Sequence, residues 1–240
     1  MLTGLGLATA AAAVAGLAIW RREEQSADHH GLSLTTPNTP EKALARLLAG
    51  NECYVAEHFS VGNHGRTARR RAEVASAQHP YAIVLACSDS RVSPEVVFSA
   101  GLGDMFVVRV AGNIVDPKCL GVLASIEYAI TELKIPLIFI LGHEGCGAVK
   151  AAIHAVEKKT DPPGAIRILT DALRPIVESV VGHAGDLLQN AVSANVQQQV
   201  ANLLSSTEIV APAVAAAQVQ IGGGVYELNS GRVRVLTGRR

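Results

Sequence analysis

Tyr81-Ala82-Ile83-Val84-Leu85-Ala86-Cys87-Ser88-Asp89-Ser90-Arg91 runs from an unbroken apolar stretch straight into a cluster of chemistry-bearing side chains. A short run with no polar alternation is the form taken by a strand covered on both faces, as in a parallel sheet. Two more such runs follow, over residues 105–110 and 137–141. Between these two, residues 121–134 carry the longer period of a helix that stops just before Pro136. This order predicts an α/β fold, a mostly parallel central β-sheet flanked by helices and joined by right-handed crossovers. Ligand chemistry then belongs at the carboxyl ends of the strands.

Upstream, Pro40-Glu41 followed by Lys42-Ala43-Leu44-Ala45-Arg46-Leu47-Leu48 predicts a helix, with Thr39 as N-cap and proline in the first turn. A second helix is expected over residues 68–77. Downstream, helices are expected over 165–181 and 186–204, with a third beginning near Ser206. Gly222-Gly223-Gly224, residues 225–228, Asn229-Ser230-Gly231 and residues 232–236 read as two strands around an Asn/Gly turn. No internal repeat is visible.

The composition narrows the class. The 240 residues carry 21 Lys plus Arg and 21 Asp plus Glu, a formal net charge of zero, which argues against a nucleic-acid partner. With 49% hydrophobic and 18% charged residues the chain can bury a full core, so disorder throughout is excluded. Aromatics make up only 4%, so Ala, Val, Ile and Leu must build that core, which suits helix-on-sheet packing. Four cysteines are too few for a disulfide scaffold.

Three segments are expected: an apolar leader over 1–22, a polar linker over 23–36 and a catalytic domain over 37–240. Met1 to Trp20 contains no charged side chain and Arg21-Arg22 closes it, the length a bilayer core demands. It reads as a signal peptide cleaved near Ala13-Val14-Ala15, as a retained membrane anchor, or as a terminal helix packed on the protein. No basic residue precedes the apolar run, which weakens the signal reading. Arg21 and Arg22 would hold their side in the cytoplasm. Localisation stays open between periplasmic or secreted, membrane-anchored through residues 1–20, and cytoplasmic. His29-His30 in the linker reads as solvated.

Cys87-Ser88-Asp89-Ser90-Arg91 follows the first strand, and Gly142-His143-Glu144-Gly145-Cys146-Gly147 follows the third. A thiolate, an imidazole and a second thiolate match the donors of tetrahedral zinc, and Asp89 can add a carboxylate oxygen. Cysteine alone is often a small buried hydrophobe, and a lone histidine is more often structural. Both motifs at fixed spacing should arise by chance on the order of once per thousand chains, at roughly one in twenty per position. Both also terminate apolar runs, so Zn2+ is the cofactor the sequence points to. Cys53 and Cys119 match no ligand spacing and read as packing residues. Nothing in the spacing of His79 or His154 marks a proton shuttle.

C-S-D-S-R followed by H-x-x-C-G resembles the β-class carbonic anhydrases. The likeness extends to Leu47-Leu48-Ala49-Gly50-Asn51, to residues 103–113, to Ala124-Ser125-Ile126-Glu127-Tyr128-Ala129 and to residues 222–228. It implies that Cys87, His143 and Cys146 are permanent zinc ligands. Asp89 either binds zinc or pairs with Arg91, leaving the fourth position to water. The implied reaction is reversible hydration of carbon dioxide to bicarbonate and a proton by a zinc-bound hydroxide. Two thiolates should make zinc a weaker Lewis acid than three histidines would, so activity should rise toward alkaline pH. The resemblance further makes Gln78, Phe106 and Tyr128 substrate-binding, and implies a homodimer or homotetramer whose pockets borrow residues across the interface. The allosteric bacterial subgroup carries tryptophan three positions before the first ligand cysteine. Val84 stands there, which favours the plant-like subgroup, although Arg109 stays as a candidate anion ligand.

Rival readings are a carbon disulfide or carbonyl sulfide hydrolase on the same zinc centre, and a structural zinc domain in which Asp89 closes the tetrahedron. A dinucleotide-binding domain is disfavoured because no G-x-G-x-x-G follows the first strand.

Overall fold

A computed structural model describes residues 36–58, 65, 67–116, 120–206 and 208–238, all within the unit Leu34–Arg240. The leader, the linker up to residue 35 and Cys119 lie outside the described residues. Among the described residues, no helix is long and apolar enough to cross a membrane.

Helix α1 spans Pro40–Val55, with the Thr39 side chain accepting from the Lys42 N–H and proline in the first turn. Then come α2 (Ala68–Val74), β1 (Ala82–Ala86), α3 (Pro94–Val97) and β2 (Met105–Arg109). A 3-10 turn over Ala111–Asn113 leads to α4 (Leu120–Thr131) and β3 (Leu137–His143). The chain continues through α5 (Gly147–Lys158), α6 (Ile166–Val180), α7 (Leu187–Ser206) and α8 (Val210–Ala215) to β4 (Gln220–Tyr226) and β5 (Val233–Thr237).

The sheet order is β2-β1-β3-β4-β5, with every pair parallel except the last. The expected mostly parallel sheet is therefore present. Strands β1 and β3 are buried along their whole length, which is why both read as continuous apolar runs. Their side chains still alternate. Ala82, Val84, Ala86, Leu137, Phe139 and Leu141 meet α1 and α3 on one face. Ile83, Leu85, Ile138 and Ile140 meet residues of α4 to α8 on the other. Each fully buried Ile, Leu or Phe contributes ~1.5–3 kcal/mol.

Several differences from the sequence reading have physical causes. Helices α3 and α5 were not anticipated, because one is a single turn and the other starts inside the H-x-x-C-G motif. Strand β4 begins at Gln220 and takes in the glycine triplet. Gly223 of the triplet and Gly142 on β3 let α7 lie on the sheet. A Cβ on Gly223 would sit 2.7 Å from Val196 Cγ1, and one on Gly142 would sit 2.5 Å from Val196 Cγ2.

The chain leaves β1 toward β2 on one side and returns to β3 on the other. The carboxyl ends of β1 and β3 thus form a topological switch point, where open parallel sheets place their ligands. Cys87 and His143 lie there.

Candidate metal centre

Cys87 follows the last residue of β1, His143 is the last residue of β3, and Cys146 caps the amino end of α5. One donor atom from each lies within 4.8 Å of the others, and all three residues are buried. The two sulfurs are 4.0 Å apart. His143 has no exposed surface, and its Nδ1 lies 2.9 Å from the Glu144 carbonyl. A carbonyl only accepts, so Nδ1 carries the proton and Nε2 keeps its lone pair. Nε2 is buried without a hydrogen-bond partner. A buried, orphaned imidazole nitrogen beside two sulfurs is the donor set of a tetrahedral Zn2+ site, so these residues fit the metal.

The loops are held by their backbone. Glu144 donates its N–H to the Tyr226 carbonyl, and its carboxylate accepts from the Leu228 N–H at 3.1 Å, which pins the end of β3 to the strand beside it. Arg109 Nε donates to the Cys87 carbonyl at 3.0 Å, and its Nη2 donates to the Asp89 carbonyl at 2.8 Å. Arg109 thus clamps the turn after β1, a role the sequence did not signal. Val84, in the position held by tryptophan in the allosteric subgroup, is fully buried in the core under α1 and α3. Gly112 donates its N–H to Cys87 Sγ at 3.3 Å. Its φ of +75° suits glycine, and a Cβ there would press on Ala148 at 3.1 Å.

The thiols titrate as a pair. The hydrogen bond from Cys146 holds the Cys87 thiol down to about 4, against its burial and with help from the Gly112 N–H. The same bond, together with burial, holds Cys146 above the ordinary thiol range. Cys53 differs: it is buried on α1 and burial pushes its thiol up, as expected for a packing residue.

Asp89 faces the same corner. Its Oδ1 accepts from Arg91 Nε at 2.9 Å and its Oδ2 accepts from Arg91 Nη2 at 2.7 Å, a two-pronged pairing. The Arg91 backbone N–H adds a third bond at 3.0 Å. The guanidinium holds the carboxyl well below the usual carboxylate range. Asp89 Oδ2 nevertheless stands only 3.9 Å from His143 Nε2.

The other anticipated site residues are placed differently. Gln78 is exposed on the loop before β1, whereas Cys87 follows β1, and the intervening strand spans about 17 Å. β1 thus stands between Gln78 and the metal donors of its own chain. Phe106 on β2 and Tyr128 on α4 do meet, with ring centroids 6.3 Å apart, and Tyr128 is 48% exposed.

The carbonic anhydrase family profile matches residues 82–233. Carbonic anhydrase 2 of Mycobacterium tuberculosis is 39% identical over 202 residues, covering 82% of this chain and 93% of the relative. A carbonic anhydrase of Mycolicibacterium smegmatis is 40% identical over 202 residues, covering 83% and 95%. Among solved structures, a Coccomyxa β-carbonic anhydrase in complex with acetazolamide superposes with a TM-score of 0.64 at 31% identity, covering 80% of this chain and 86% of that one. With buried sulfur and imidazole donors converging at the sheet's switch point and similarity of this extent, the chain belongs to the β-class carbonic anhydrases and has their activity on carbon dioxide and bicarbonate.

Proposed function

We propose that Cys87, His143 and Cys146 hold a catalytic Zn2+ and that Asp89, kept on Arg91, leaves the fourth position to water, so that the chain carries out reversible hydration of carbon dioxide. The observation that carries this reading is the double role open to Asp89. Its carboxylate lies 3.9 Å from the unpartnered His143 nitrogen, yet both its oxygens are taken by Arg91. A structural zinc domain would instead spend that carboxylate on closing the tetrahedron. Zinc bound there supplies Lewis acidity, which makes water nucleophilic near neutral pH. The chain's own residues do the rest. The Glu144 carbonyl fixes the His143 tautomer, Arg109 holds the Cys87–Asp89 turn, and Arg91 restrains the carboxylate.

Carbon dioxide is small, linear and uncharged, so an amide donor beside apolar walls suits it. Gln78 is that donor in our reading, with Phe106 and Tyr128 as walls, and Gln78 comes from a second copy of the chain. Support for the second copy comes from β2, an edge strand of Met105, Phe106, Val107 and Val108 only partly buried in one chain, beside the half-exposed ring of Tyr128. Apolar edges of this kind need cover. The catalytic domain comprises residues 37–240.

Replacing Arg91 by Gln tests the pairing. The freed carboxylate should take the metal's open position, so kcat/KM should fall by about 10–100-fold with zinc content unchanged. Full activity in Arg91→Gln would rule out restraint by Arg91.

A further inference from the structure

Helix α7 carries amides where a helix packed on a sheet would ordinarily be apolar. Its Val192, Val196 and Leu203 are buried as expected, but so are Asn195 and Gln199, at 2% and 1% exposure. Buried amides are destabilising unless every bond is made, and these form a chain. Asn195 Nδ2 donates to the Gly112 carbonyl at 2.9 Å. Gln199 Nε2 donates to Asn195 Oδ1 at 2.7 Å, and Gln199 Oε1 accepts from the Val115 N–H at 2.7 Å. Asn202 Nδ2 closes the chain on the Val115 carbonyl and on Gln199 Oε1, both at 3.1 Å. Positions 195, 199 and 202 follow one stripe of the helix. All their bonds to the main chain go to Gly112 in the 3-10 turn and to Val115 in the loop after it, and Gly112 is the residue whose N–H lies on Cys87 Sγ.

We propose that Asn195 and Gln199 are positioning residues of the metal centre, holding the Gly112–Val115 loop so that the Gly112 N–H stays on the Cys87 sulfur and draws charge from it. The proposal rests on the metal reading above. Neither amide touches a ligand side chain, so the effect passes through the loop. A thiolate that accepts an N–H bond donates less charge to its metal, and partners at this remove tune a site without binding it. Gly112 sits at φ +75° against Ala148 and Leu173, and the freedom that lets glycine adopt this geometry also lets it leave when the loop is not held.

The test uses the full chain loaded with cobalt(II), whose sulfur-to-metal charge-transfer band reports the charge on the thiolates. Asn195→Leu removes both amide bonds. Asn195→Asp keeps the oxygen that Gln199 needs but loses the donor to Gly112, and it serves if the first variant does not fold. Leu203→Ala, a cavity in the same helix, controls for lost stability as followed by the thermal midpoint. In the Asn195 variants the band should move to longer wavelength and carbon dioxide hydration should fall about 10–100-fold at equal metal content. Leu203→Ala should leave the band in place. An unmoved band in both Asn195 variants, or an equal shift in Leu203→Ala, would overturn the positioning role. A wild-type protein that takes up no cobalt would overturn the metal reading and this proposal with it.

Discussion

Before metal binds, Cys87 and Cys146 should share one proton at neutral pH, since the hydrogen bond from Cys146 holds the Cys87 thiol down to about 4 and the same bond, with burial, holds Cys146 up. The metal-free chain should therefore keep one thiolate's ultraviolet absorbance on acidification from pH 7 until about pH 4, and Cys87→Ser should abolish it. Absorbance that appears only above about pH 8, the range of an ordinary thiol, would contradict this. The donor residues were legible in the sequence because Cys87, His143 and Cys146 are residue types with few uses at such spacing. The clamp by Arg109 and the Gly112 N–H on sulfur were not legible. Each pairs a side chain with a main-chain group some 20 or more residues away, and no local pattern encodes them.

Among the elements, β1 and β3 were readable because two-sided burial removes polar residues from a strand. Helix α5 was hidden by its own function, since its first turn consists of the metal motif and small residues. The glycine triplet fell in the region read as two strands around an Asn/Gly turn, and its middle residue, Gly223, is the surface on which Val196 rests. Gly223→Ala should therefore destabilise the chain by ~1–3 kcal/mol through overpacking, read from denaturant unfolding. Adding Val196→Ala should recover part of that loss, because the two side chains compete for one space. Strictly additive losses would mean that α7 is not seated on Gly223.

At the scale of the whole molecule, the span of β1 separates Gln78 from the metal donors of its own chain. The resemblance implied pockets shared between chains, and the exposed Tyr128 beside edge strand β2 gives that expectation a surface. Sharing has a testable signature. A Cys146→Ser chain lacks a metal site but offers Gln78, and a Gln78→Ala chain has the reverse defect. Refolding the two together in equal amounts should restore about a quarter of wild-type activity, since half of the dimers are hybrids with one intact site of two. No recovery over the separate variants would place Gln78 in its own chain's site or outside the pocket.

The most direct test of zinc held by Cys87, His143 and Cys146 is stopped-flow carbon dioxide hydration with zinc content measured on the same sample. About one zinc per chain, with hydration rising from about pH 6 to 9 and lost with the metal, is the expected result. Full zinc occupancy without hydration, or equal hydration after zinc is removed, would contradict it.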